Sequence, residues 1–549
     1  MTNAISEIEL RDQGTALALR FTDGSRATVP MKHLRTDVLQ SQSGPTFPPP
    51  WAALSAEITQ QGRSVTITCT DHWSDRLSAP RLADVAGLVS PDAPIRPDLV
   101  LVDAGWAITC NGPDDSTPQG ADPTSRAFER ARRLMDEREH IGLAVRAGRI
   151  VDIDDTAVIE DRYLRTNHPK QTDAQPSVHA PTVVHLEGRG LTPGLVDPHT
   201  HPIFAGDRSN EFAMRAEGAD YLAISKAGGG IRSTMRATRA CDDEELMALT
   251  WQRLDRLAAW GTTTIEAKSG YSLDQDGELR LLELLNRLGR IHAMDISTTL
   301  LAAHVVPPEY ENARGDYLRL IVDHILPQAA SRGLCDAVDV FCEQGAFSLD
   351  EAKTIFAVAL DAGLGIHVHA EQFTDSGAAA LAARMGALSA DHLEAITDTG
   401  IEALAQSQTV AVLLPGAALT VGGRFPNARR LCDAGVTVAL GTDLNPGTSM
   451  TESLPLMMSV ACTQMGMSVP EAWLAVTRFS AQAIGRNDIG RLAVGARADL
   501  AMFDAPGPAA IPSYLAHDSL DRLIKSGLVL PRRPRSFPPS SSQNKTSFP

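Results

Sequence analysis

The stretch Leu191-Thr-Pro-Gly-Leu-Val-Asp-Pro-His-Thr-His201 decides how this chain folds and where its chemistry lies. Its apolar residues, punctuated by proline and glycine, predict a buried strand that ends in two histidines. Alternate side chains of a strand point to the same face, so His199 and His201 project together from its carboxyl end. Two neutral imidazoles side by side are half of a site for a divalent metal ion. A pair of surface histidines is the alternative, but further His and Asp residues at later strand ends favour the metal site.

The composition of the 549-residue chain is that of a folded protein with several domains. It is 43% hydrophobic and 21% charged, and its apolar runs are shorter than the roughly 20 residues that span a bilayer. The net charge of −17 argues against nucleic acid as a partner, whereas a small anionic substrate needs only one or two basic side chains. The amino terminus lacks a signal-peptide pattern, so we expect a cytoplasmic protein that does not bind membranes. The seven cysteines are scattered and contain no Cys-x-x-Cys pair, which predicts reduced thiols.

Residues 1–95 have the pattern of a small β-rich domain of unknown role. The run Ala16-Leu-Ala-Leu-Arg-Phe-Thr-Asp-Gly-Ser25 followed by Arg26-Ala-Thr-Val-Pro30 predicts a hairpin around an Asp-Gly turn. Ser64-Val-Thr-Ile-Thr-Cys69 alternates like a further strand. Through Phe21-Thr-Asp-Gly24 and His33-Leu-Arg35, this region resembles the amino-terminal domain of γ-butyrobetaine hydroxylase-like proteins.

A second β-rich unit is predicted from two separate parts of the chain. Strand patterns at 98–112 and 142–154 assign residues 98–190 to the first part of a small β-sandwich, with insertions or loops near 113–140 and 160–180. Residues 486–530 return to strand character and supply its second part. The Pro, Ser and Arg content of residues 531–549 predicts a disordered tail.

Residues 191–485 alternate short apolar runs with amphipathic helical stretches of ten or more residues. This alternation is typical of repeated β/α units and a parallel sheet. Helices are predicted at Glu278-Leu-Arg-Leu-Leu-Glu-Leu-Leu285 and Glu351-Ala-Lys-Thr-Ile-Phe-Ala-Val-Ala-Leu360. About eight units predict an α/β fold with a (β/α)8 TIM-like barrel, whose chemistry lies at the carboxyl ends of the strands. Beyond the opening stretch, strands are predicted at 262–267, 297–304, 337–343, 365–371, 409–415 and 437–443.

Three later residues at predicted strand ends complete the opening pair. His369 ends the run Ile366-His-Val-His-Ala370, Asp443 ends the last strand, and His392 lies in Ser389-Ala-Asp-His-Leu393. Three imidazoles and a carboxylate would hold one Zn²⁺ or iron ion and leave a position for water, which lowers the pKa of that water to about 7. His367 shares the strand face of His369 and stays an alternative ligand, although His369 is nearer the strand end. The donors do not distinguish zinc from iron.

These motifs resemble those of the amidohydrolase superfamily, which combines His-x-His after a Pro-Gly-Leu-Val-Asp strand with a final Gly-Thr-Asp. Within it, residues 98 to about 530 are similar to the imidazolonepropionase family through five strings in the same order. The strings are Asp197-Pro-His-Thr-His-Pro-Ile-Phe-Ala-Gly-Asp-Arg208, Ala227-Gly-Gly-Gly-Ile231, Glu266-Ala-Lys-Ser-Gly-Tyr271, Ala302-Ala-His-Val-Val-Pro-Pro-Glu-Tyr310 and Gly441-Thr-Asp-Leu-Asn-Pro-Gly-Thr-Ser449.

The resemblance implies a role for each matching residue, one Zn²⁺ or Fe ion per chain, and a homodimer. The implied metal ligands are His199, His201, His369 and Asp443. The implied substrate-binding residues are Arg208, Tyr271, His304, Gln372, Asn445, Gly447 and Thr448. The candidates for catalytic proton handling are His392, Glu371 and Asp443.

Several of these residues also have plainer interpretations. Arg208 has the planar guanidinium that binds a carboxylate in bidentate fashion, but a surface salt bridge would use it equally well. Tyr271 is either a carboxylate donor or a half-buried aromatic ring, and His304 is either a substrate contact or a core histidine. Lys268 is predicted to be structural or ion-paired, because the resemblance is to a one-metal enzyme.

The activity implied by the resemblance is hydrolysis of the ring amide of 4-imidazolone-5-propanoate to N-formimino-L-glutamate, a step of histidine degradation. A deaminase of an aromatic ring amine is the nearest alternative, but it would not need Arg208 and Tyr271 for a propionate. A barrel that has lost catalysis and serves as a binding protein is the other alternative. It predicts missing ligands, whereas all four are present in the sequence.

Overall fold

The computed structural model describes residues 97–114, 122–165, 181–218 and 229–530, together with six strands of the amino-terminal region. Those six strands form two three-stranded antiparallel sheets, in the orders β1-β2-β3 and β4-β5-β6. Residues 22–24, residues 33–35 and the predicted tail at 531–549 lie outside the described residues. The strands are β1 (Ile5–Arg11), β2 (Ala16–Phe21), β3 (Arg26–Pro30), β4 (Ala53–Thr59), β5 (Ser64–Cys69) and β6 (Ser74–Ser78).

The next strands along the chain build most of a two-sheet sandwich. They are β7 (Leu99–Val102), β8 (Trp106–Ile108), β9 (Glu137–Arg138), β10 (Ile141–Arg146), β11 (Arg149–Asp155), β12 (Thr182–His185) and β13 (Gly190–Pro193). One sheet has the order β11-β10-β7-β12, and β8, β9 and β13 belong to the other.

Eight parallel strands follow and form the barrel, each hydrogen-bonded to the next in chain order. They are β14 (Leu195–Thr200), β15 (Thr262–Lys268), β16 (Asp295–Ala303), β17 (Ala337–Cys342), β18 (Gly365–Ala370), β19 (Ser389–His392), β20 (Val410–Leu413) and β21 (Val438–Leu440). The predicted (β/α)8 barrel is therefore confirmed. Of its strands, β19 was predicted only through the position of His392 at a strand end and was given no range, because its four residues include the polar Ser389, Asp391 and His392.

Three strands after the barrel return to the sandwich, as the sequence predicted for its flanks. They are β22 (Leu500–Phe503), β23 (Leu520–Lys525) and β24 (Leu528–Leu530), and they complete a sheet of order β24-β23-β22-β13-β8-β9. Apolar side chains from both flanks of the barrel pack between the two sheets, which makes the sandwich one core. Among them are Leu101, Leu143, Leu191, Met502 and Ile524.

Most of the described helices surround the barrel, although the short helix Thr156–Glu160 packs against the sandwich. Those before β18 are α1 (Pro123–Met135), α2 (Thr156–Glu160), α3 (Ser209–Ala216), α4 (Ile231–Ala240), α5 (Asp243–Ala258), α6 (Gln275–Ile291), α7 (Arg314–Leu320), α8 (Leu326–Ser331) and α9 (Leu349–Asp361). Those after it are α10 (Ala378–Met385), α11 (Asp398–Ala405), α12 (Pro415–Val421), α13 (Ala428–Asp433), α14 (Leu454–Gln464), α15 (Val469–Ala475), α16 (Arg478–Ala483) and α17 (Ala510–Ser513). Short π-helical turns lie at Asp161–Arg165 and Ile321–Ile325, and a 3-10 turn at Pro308–Tyr310.

The opening stretch Leu191–His201 is not one strand, as its sequence predicted, but two. Pro193 ends β13 in the sandwich, and Leu195 begins β14 in the barrel. Gly194 between them lies so close to β15 that a Cβ atom would be 2.3 Å from the side chain of Thr263. Glycine therefore lets the chain pass from one sheet to the other within a single residue.

The segment near 113–140, predicted to be an insertion or loop, contains the helix α1. Asp122 caps it by accepting a hydrogen bond from the Ser125 amide at 3.1 Å, and Pro123 occupies its first turn. Ala131, Leu134 and Met135 bury its apolar face. The loop prediction was wrong here, because an Asp-Pro pair before an apolar periodicity is a helix-start signal. Of the second predicted loop, residues 160–165 are helical and residues 166–180 are not among those described.

None of the helices within the described ranges is both long and apolar enough to cross a membrane. The cysteines whose side chains are described have free thiols, and each is buried or half-buried. The side chain of Cys69 is outside that part of the chain.

Replacing Gly190 with alanine is expected to destabilise the sandwich. A Cβ at this position would lie 2.1 Å from Cζ2 of Trp106. The indole cannot easily move away, because its Nε1 donates a hydrogen bond to the Ala505 carbonyl at 2.7 Å. Overpacking of this kind costs about 1–3 kcal/mol, which equilibrium unfolding of the variant would measure.

The substitution Gly289→Ala is the matched control. Gly289 lies inside α6, and the nearest atom beyond the helix would be Ile296 Cβ at an ordinary 3.7 Å. Alanine stabilises a helix interior by about 0.5–1 kcal/mol relative to glycine, so this variant is expected to gain stability. Equal losses for the two variants would contradict the packing argument.

Candidate metal centre and active site

Four of the predicted ligands meet at the carboxyl end of the barrel. Nε2 of His199 lies 3.2 Å from Nε2 of His201, and Asp443 Oδ1 lies 3.6 and 3.5 Å from those two nitrogens. The ring of His369 is centred 4.6 Å from that of His199 and 5.5 Å from that of His201. All four side chains are buried. The candidate donors thus come from the first, fifth and last barrel strands and lie together at the carboxyl end of the barrel.

The donor set fits a divalent metal ion. His199 Nδ1 lies 2.6 Å from a carboxylate oxygen of Asp391 and donates to it, which leaves Nε2 of His199 as an unprotonated lone pair. That lone pair faces the second imidazole and the Asp443 carboxylate rather than solvent. Burial lowers the pKa of His199 and of His201 well below the ordinary value, so both rings are neutral. Neutral imidazoles with a carboxylate are the ligands that zinc and iron share.

The structure separates His369 from the alternative ligand His367. Donor atoms of His369, His199 and His392 lie within 4.8 Å of one another, in an arrangement able to hold a metal ion. His367 lies one layer deeper in the barrel, and its Nδ1 is 2.8 Å from the hydroxyl of Ser389. His367 is therefore engaged with a neighbouring strand.

A buried ion cluster lies beneath the donors. Lys268 Nζ lies 2.8 Å from Asp339 Oδ2, 2.9 Å from Glu266 Oε1 and 3.8 Å from Asp391 Oδ2, and all four side chains are buried. Burial alone would lower the pKa of Lys268, but the carboxylates of Asp339 and Glu266 raise it instead. The predicted ion pairing of Lys268 is thus what the structure contains.

The carboxylates of this cluster orient two of the candidate ligands. Asp391 accepts from Nδ1 of His199, and Asp339 accepts from Nδ1 of His369 at 3.1 Å. Such contacts hold a ligating imidazole in one tautomer with its other nitrogen free. Neither aspartate was predicted as a site residue from the sequence. A lone aspartate inside an otherwise apolar strand, as in Val338-Asp-Val340, was the available signal.

The three residues predicted to handle protons share a left-handed backbone. The φ angles are 78° at His392, 48° at Glu371 and 52° at Asp443. Positive φ is uncommon for residues other than glycine, and it concentrates at sites where a side chain must be aimed. Each of these residues follows or ends a barrel strand. The positive φ angle therefore points its side chain in a direction that the alternation of side chains along the strand would not give.

The side chains of these three residues have different neighbours. The ring of His392 is centred 5.2 Å from that of His369, and its Nδ1 is 3.6 Å from Glu394 Oε1. Burial opposes a charged His392, but Glu394 followed by Asp443 raises its pKa. The carboxylate of Glu371 instead accepts from the Ala379 amide at 3.1 Å, in the first turn of α10. Burial raises the pKa of Glu371 to about 7.

Arg208 is bound in bidentate fashion by a carboxylate of its own chain. Its Nε and NH2 donate to the two oxygens of Glu211 at 3.0 and 2.8 Å, and Glu211 also accepts from the Gly230 amide at 2.8 Å. The NH1 edge faces Gly447, where a Cβ would lie 2.3 Å from NH1. The guanidinium is largely buried, so the alternative of a solvent-exposed salt bridge does not describe it.

Tyr271 and His304 stand beside the candidate ligand His201. The His304 ring stacks on that of His201 at 5.5 Å between centroids, and the Tyr271 ring is 5.9 Å from it. His304 Nδ1 lies 3.0 Å from the Gly270 carbonyl, and burial lowers the pKa of His304 to about 3. The buried ring of Tyr271 and the half-buried ring of His304 therefore both lie beside the candidate metal donors.

The predicted substrate residues Asn445 and Thr448 build the turn that follows β21. Asn445 Oδ1 accepts from the amides of Gly447 and Thr448, each at 2.8 Å, and its Nδ2 donates to the Asp443 carbonyl at 2.7 Å. The Thr448 hydroxyl lies 3.4 Å from Asp443 Oδ2. Gln372 is half-buried in the loop after β18. The side chain of Asn445 thus makes these hydrogen bonds within the turn itself.

The substitution His369→Asn is expected to abolish high-affinity binding of zinc, because it removes one of the four donors. His367→Asn, two residues earlier on the same strand, is expected to keep about one metal ion per chain. Metal analysis of both variants after equal loading with zinc checks this. Loss of the ion from the His367 variant alone would contradict the assignment of His369.

Two comparisons with known proteins place the chain in a family. Residues 206–530 match the model of the Amidohydrolase family, which is more than half of the chain. An imidazolonepropionase of Paracoccus denitrificans is 49% identical over 343 residues, which cover 62% of this chain and 86% of that protein. That of Rubrobacter xylanophilus is 46% identical over 380 residues, which cover 68% of this chain and 90% of that protein.

Solved structures share the fold. An adenosine deaminase from Xanthomonas campestris with bound zinc has a TM-score of 0.56 at 18% identity, covering 80% of this chain and 93% of its own. Atrazine chlorohydrolase from Arthrobacter aurescens complexed with zinc has a TM-score of 0.54 at 16% identity, covering 79% and 95%. The family match, together with the buried His and Asp donors, indicates a metal-binding site. The resemblance found in the sequence is confirmed, and the chain belongs to the amidohydrolase family and, within it, to the imidazolonepropionases.

Proposed function

We propose that this protein hydrolyses the ring amide of 4-imidazolone-5-propanoate to N-formimino-L-glutamate, a step of histidine degradation. One observation carries the proposal. Two groups of buried donors able to hold a metal ion, His199-His201-Asp443 and His199-His369-His392, share His199 at the carboxyl end of the barrel. Family membership supports the reaction class, which is hydrolysis of a carbon-nitrogen bond in a cyclic amide.

We assign His199, His201, His369 and Asp443 as the ligands of one zinc or iron ion per chain. An ion held there supplies a water of lowered pKa and polarises the carbonyl of the substrate. The protein prepares the site in advance, because Asp391 and Asp339 hold two of the imidazoles as neutral tautomers with one free nitrogen. Lys268 balances the charge of those carboxylates.

The substrate is placed by its propionate and by its ring. We propose that Arg208 binds the propionate through its NH1 edge, since Glu211 occupies the opposite edge and fixes the guanidinium plane. Gly447 lets the guanidinium lie against the main chain, because any side chain there would collide with it. Tyr271 and His304 flank the path from Arg208 to the metal donors. Gln372, Asn445 and Thr448 complete the proposed binding site from the loops after β18 and β21.

In the proposed reaction, the oxygen of water adds to the ring carbonyl carbon, and the bond from this carbon to the ring nitrogen breaks. The proton lost by water ends on that nitrogen, so atoms and charge balance. We assign His392 to stabilise the developing negative charge on the carbonyl oxygen, with Glu394 behind it. Asp443 is our first candidate to carry the proton, with Thr448 beside its Oδ2. Glu371, bound to the first turn of α10, is the third candidate.

The remaining parts of the proposal rest on the family resemblance and on the sequence. They are a cytoplasmic homodimer, a small anionic molecule as the only class of partner, and no nucleic acid or membrane partner. We also propose the domain organisation given by the sequence, with residues 1–95 as a separate unit of unknown role. Light scattering of the purified protein would give the mass of the assembly.

The protein loaded with zinc or iron is expected to open the ring of 4-imidazolone-5-propanoate, and removal of the metal by a chelator is expected to abolish turnover. Loss of the ring's ultraviolet absorbance, with detection of N-formimino-L-glutamate, measures the reaction. Adenosine serves as the comparison substrate for ring deamination. Deamination without ring opening would replace the proposal with its nearest alternative, and a metal-free protein without either activity would favour a binding protein.

Substitution of Arg208 is expected to lower kcat/KM by about 10- to 100-fold on the propionate substrate, since a hydrogen-bonded charge contributes about 1.5–3 kcal/mol. Arg208→Lys keeps a partner for the buried Glu211 but loses the guanidinium fork, and Arg208→Met removes both. An imidazolone ring without the propionate is the control substrate, on which the variants should match the unaltered protein. An equal loss on both substrates would contradict a carboxylate contact.

A further inference from the structure

A buried carboxylate organises the loop that follows β15. Glu278, on α6, is fully buried, and its Oε1 accepts from the amides of Ser272 at 2.9 Å and Leu273 at 2.8 Å. Its Oε2 accepts from the amide of Gly270 at 2.9 Å. Three backbone amides of one loop are thus bound to one side chain. A carboxylate that accepts several backbone amides holds a loop far more firmly than contacts with water do.

The main chain of Gly270 connects Glu278 to His304. The amide of Gly270 donates to Glu278, and its carbonyl lies 3.0 Å from Nδ1 of His304. A carbonyl oxygen only accepts, so Nδ1 of His304 must carry the proton and Nε2 is left as an acceptor. Gly270 has φ 97°, and a Cβ there would lie 3.0 Å from the Leu301 carbonyl and 3.1 Å from His304 Nδ1. Only glycine therefore allows this contact.

The same loop presents Tyr271, which is 3% exposed. Its ring is centred 5.6 Å from that of His304 and 5.9 Å from that of His201. The ring of His304 in turn stacks on His201. The positions of two rings beside the candidate metal donors thus depend on one loop conformation. The hydrogen bonds of Glu278 go to the backbone of that loop.

We propose that Glu278 is a positioning residue of the active site, which fixes the loop Gly270–Leu273. By fixing the main chain of Gly270, whose carbonyl contacts Nδ1 of His304, it holds His304 in the Nδ1-protonated tautomer. His304 then offers Nε2 only as a hydrogen-bond acceptor, toward a donor such as a ring N–H of the substrate. The consequence for catalysis rests on the proposed function. The tautomer of His304 does not, because it follows from the hydrogen bonds of the protein itself.

The first test needs no substrate. In the zinc-loaded protein labelled with 15N-histidine, the His304 signals, identified by their loss in His304→Asn, are expected to be those of a ring protonated at Nδ1. The Nε2-protonated tautomer in the unaltered protein would overturn the proposal. This result is independent of ring opening, so a failed activity assay with the expected tautomer would reject the proposed function and leave the positioning role standing.

The second test removes the carboxylate. In Glu278→Gln one acceptor oxygen is replaced by an NH2 group that cannot accept from a backbone amide. We expect unchanged zinc content, a fall of 10-fold or more in kcat/KM by order of magnitude, and a His304 signal that is no longer a single tautomer. Glu278→Asp keeps the charge, but its shorter side chain moves the carboxylate away from the loop amides. This variant replaces Glu278→Gln in the test if the glutamine variant does not fold.

The matched control is Glu471→Gln. Glu471 is also a buried glutamate that accepts from a backbone amide, that of Ser468 at 2.7 Å, and it pairs with Arg429, but it caps α15. This variant is expected to lose thermal stability while keeping kcat/KM and the His304 tautomer. Glu278 variants that fold with unaltered kcat/KM and an unaltered His304 tautomer would overturn the proposal.

Discussion

Two main-chain hydrogen bonds close the barrel, from the Asp443 amide to the His199 carbonyl and from the His201 amide to the Leu444 carbonyl, each 3.0 Å long. They join the end of β14 to the turn after β21, and the same residues carry three of the candidate ligands. Asp197 reinforces the closure by accepting from the Thr442 hydroxyl at 2.6 Å. The barrel therefore cannot close in register without bringing these donors together, so folding of the barrel and assembly of the metal site are one event.

The charge of the barrel interior is arranged around that closure. Lys268 places one ammonium among three carboxylates where no side chain is exposed to water. Removing Lys268 from such a cluster costs about 3–5 kcal/mol, because buried carboxylates are left without a positive partner. Two of the carboxylates continue upward to His199 and His369, so the charge balance beneath the site also sets the orientation of its imidazoles.

Sequence periodicity predicted the part of the site that lies on regular strands. His199 and His201 share a face because strand side chains alternate, and His369 and Asp443 follow apolar runs of the right length. Asp339 and Asp391 were missed, since a single aspartate in a strand has no spacing that distinguishes a buried ion partner from an exposed residue. The helix α1 was not predicted, although Asp122-Pro123 is a helix-start signal. The opening stretch is divided into two strands at Gly194, which lies close to Thr263 on a neighbouring strand. A contact between distant segments of this kind cannot be read from the local sequence.

The sequence by itself determined the fold class and the family and predicted the candidate metal donors, because hydrophobic alternation and motif spacing are properties of short segments. The tertiary structure decided which neighbours those residues meet. Arg208 donates to Glu211, and Asn445 accepts from amides of its own turn. Nδ1 of His304 contacts the Gly270 carbonyl. The tertiary structure also separated His367 from His369, which share one strand face in the sequence. Contacts between distant segments depend on how the barrel closes, and that closure is a property of all eight strands together.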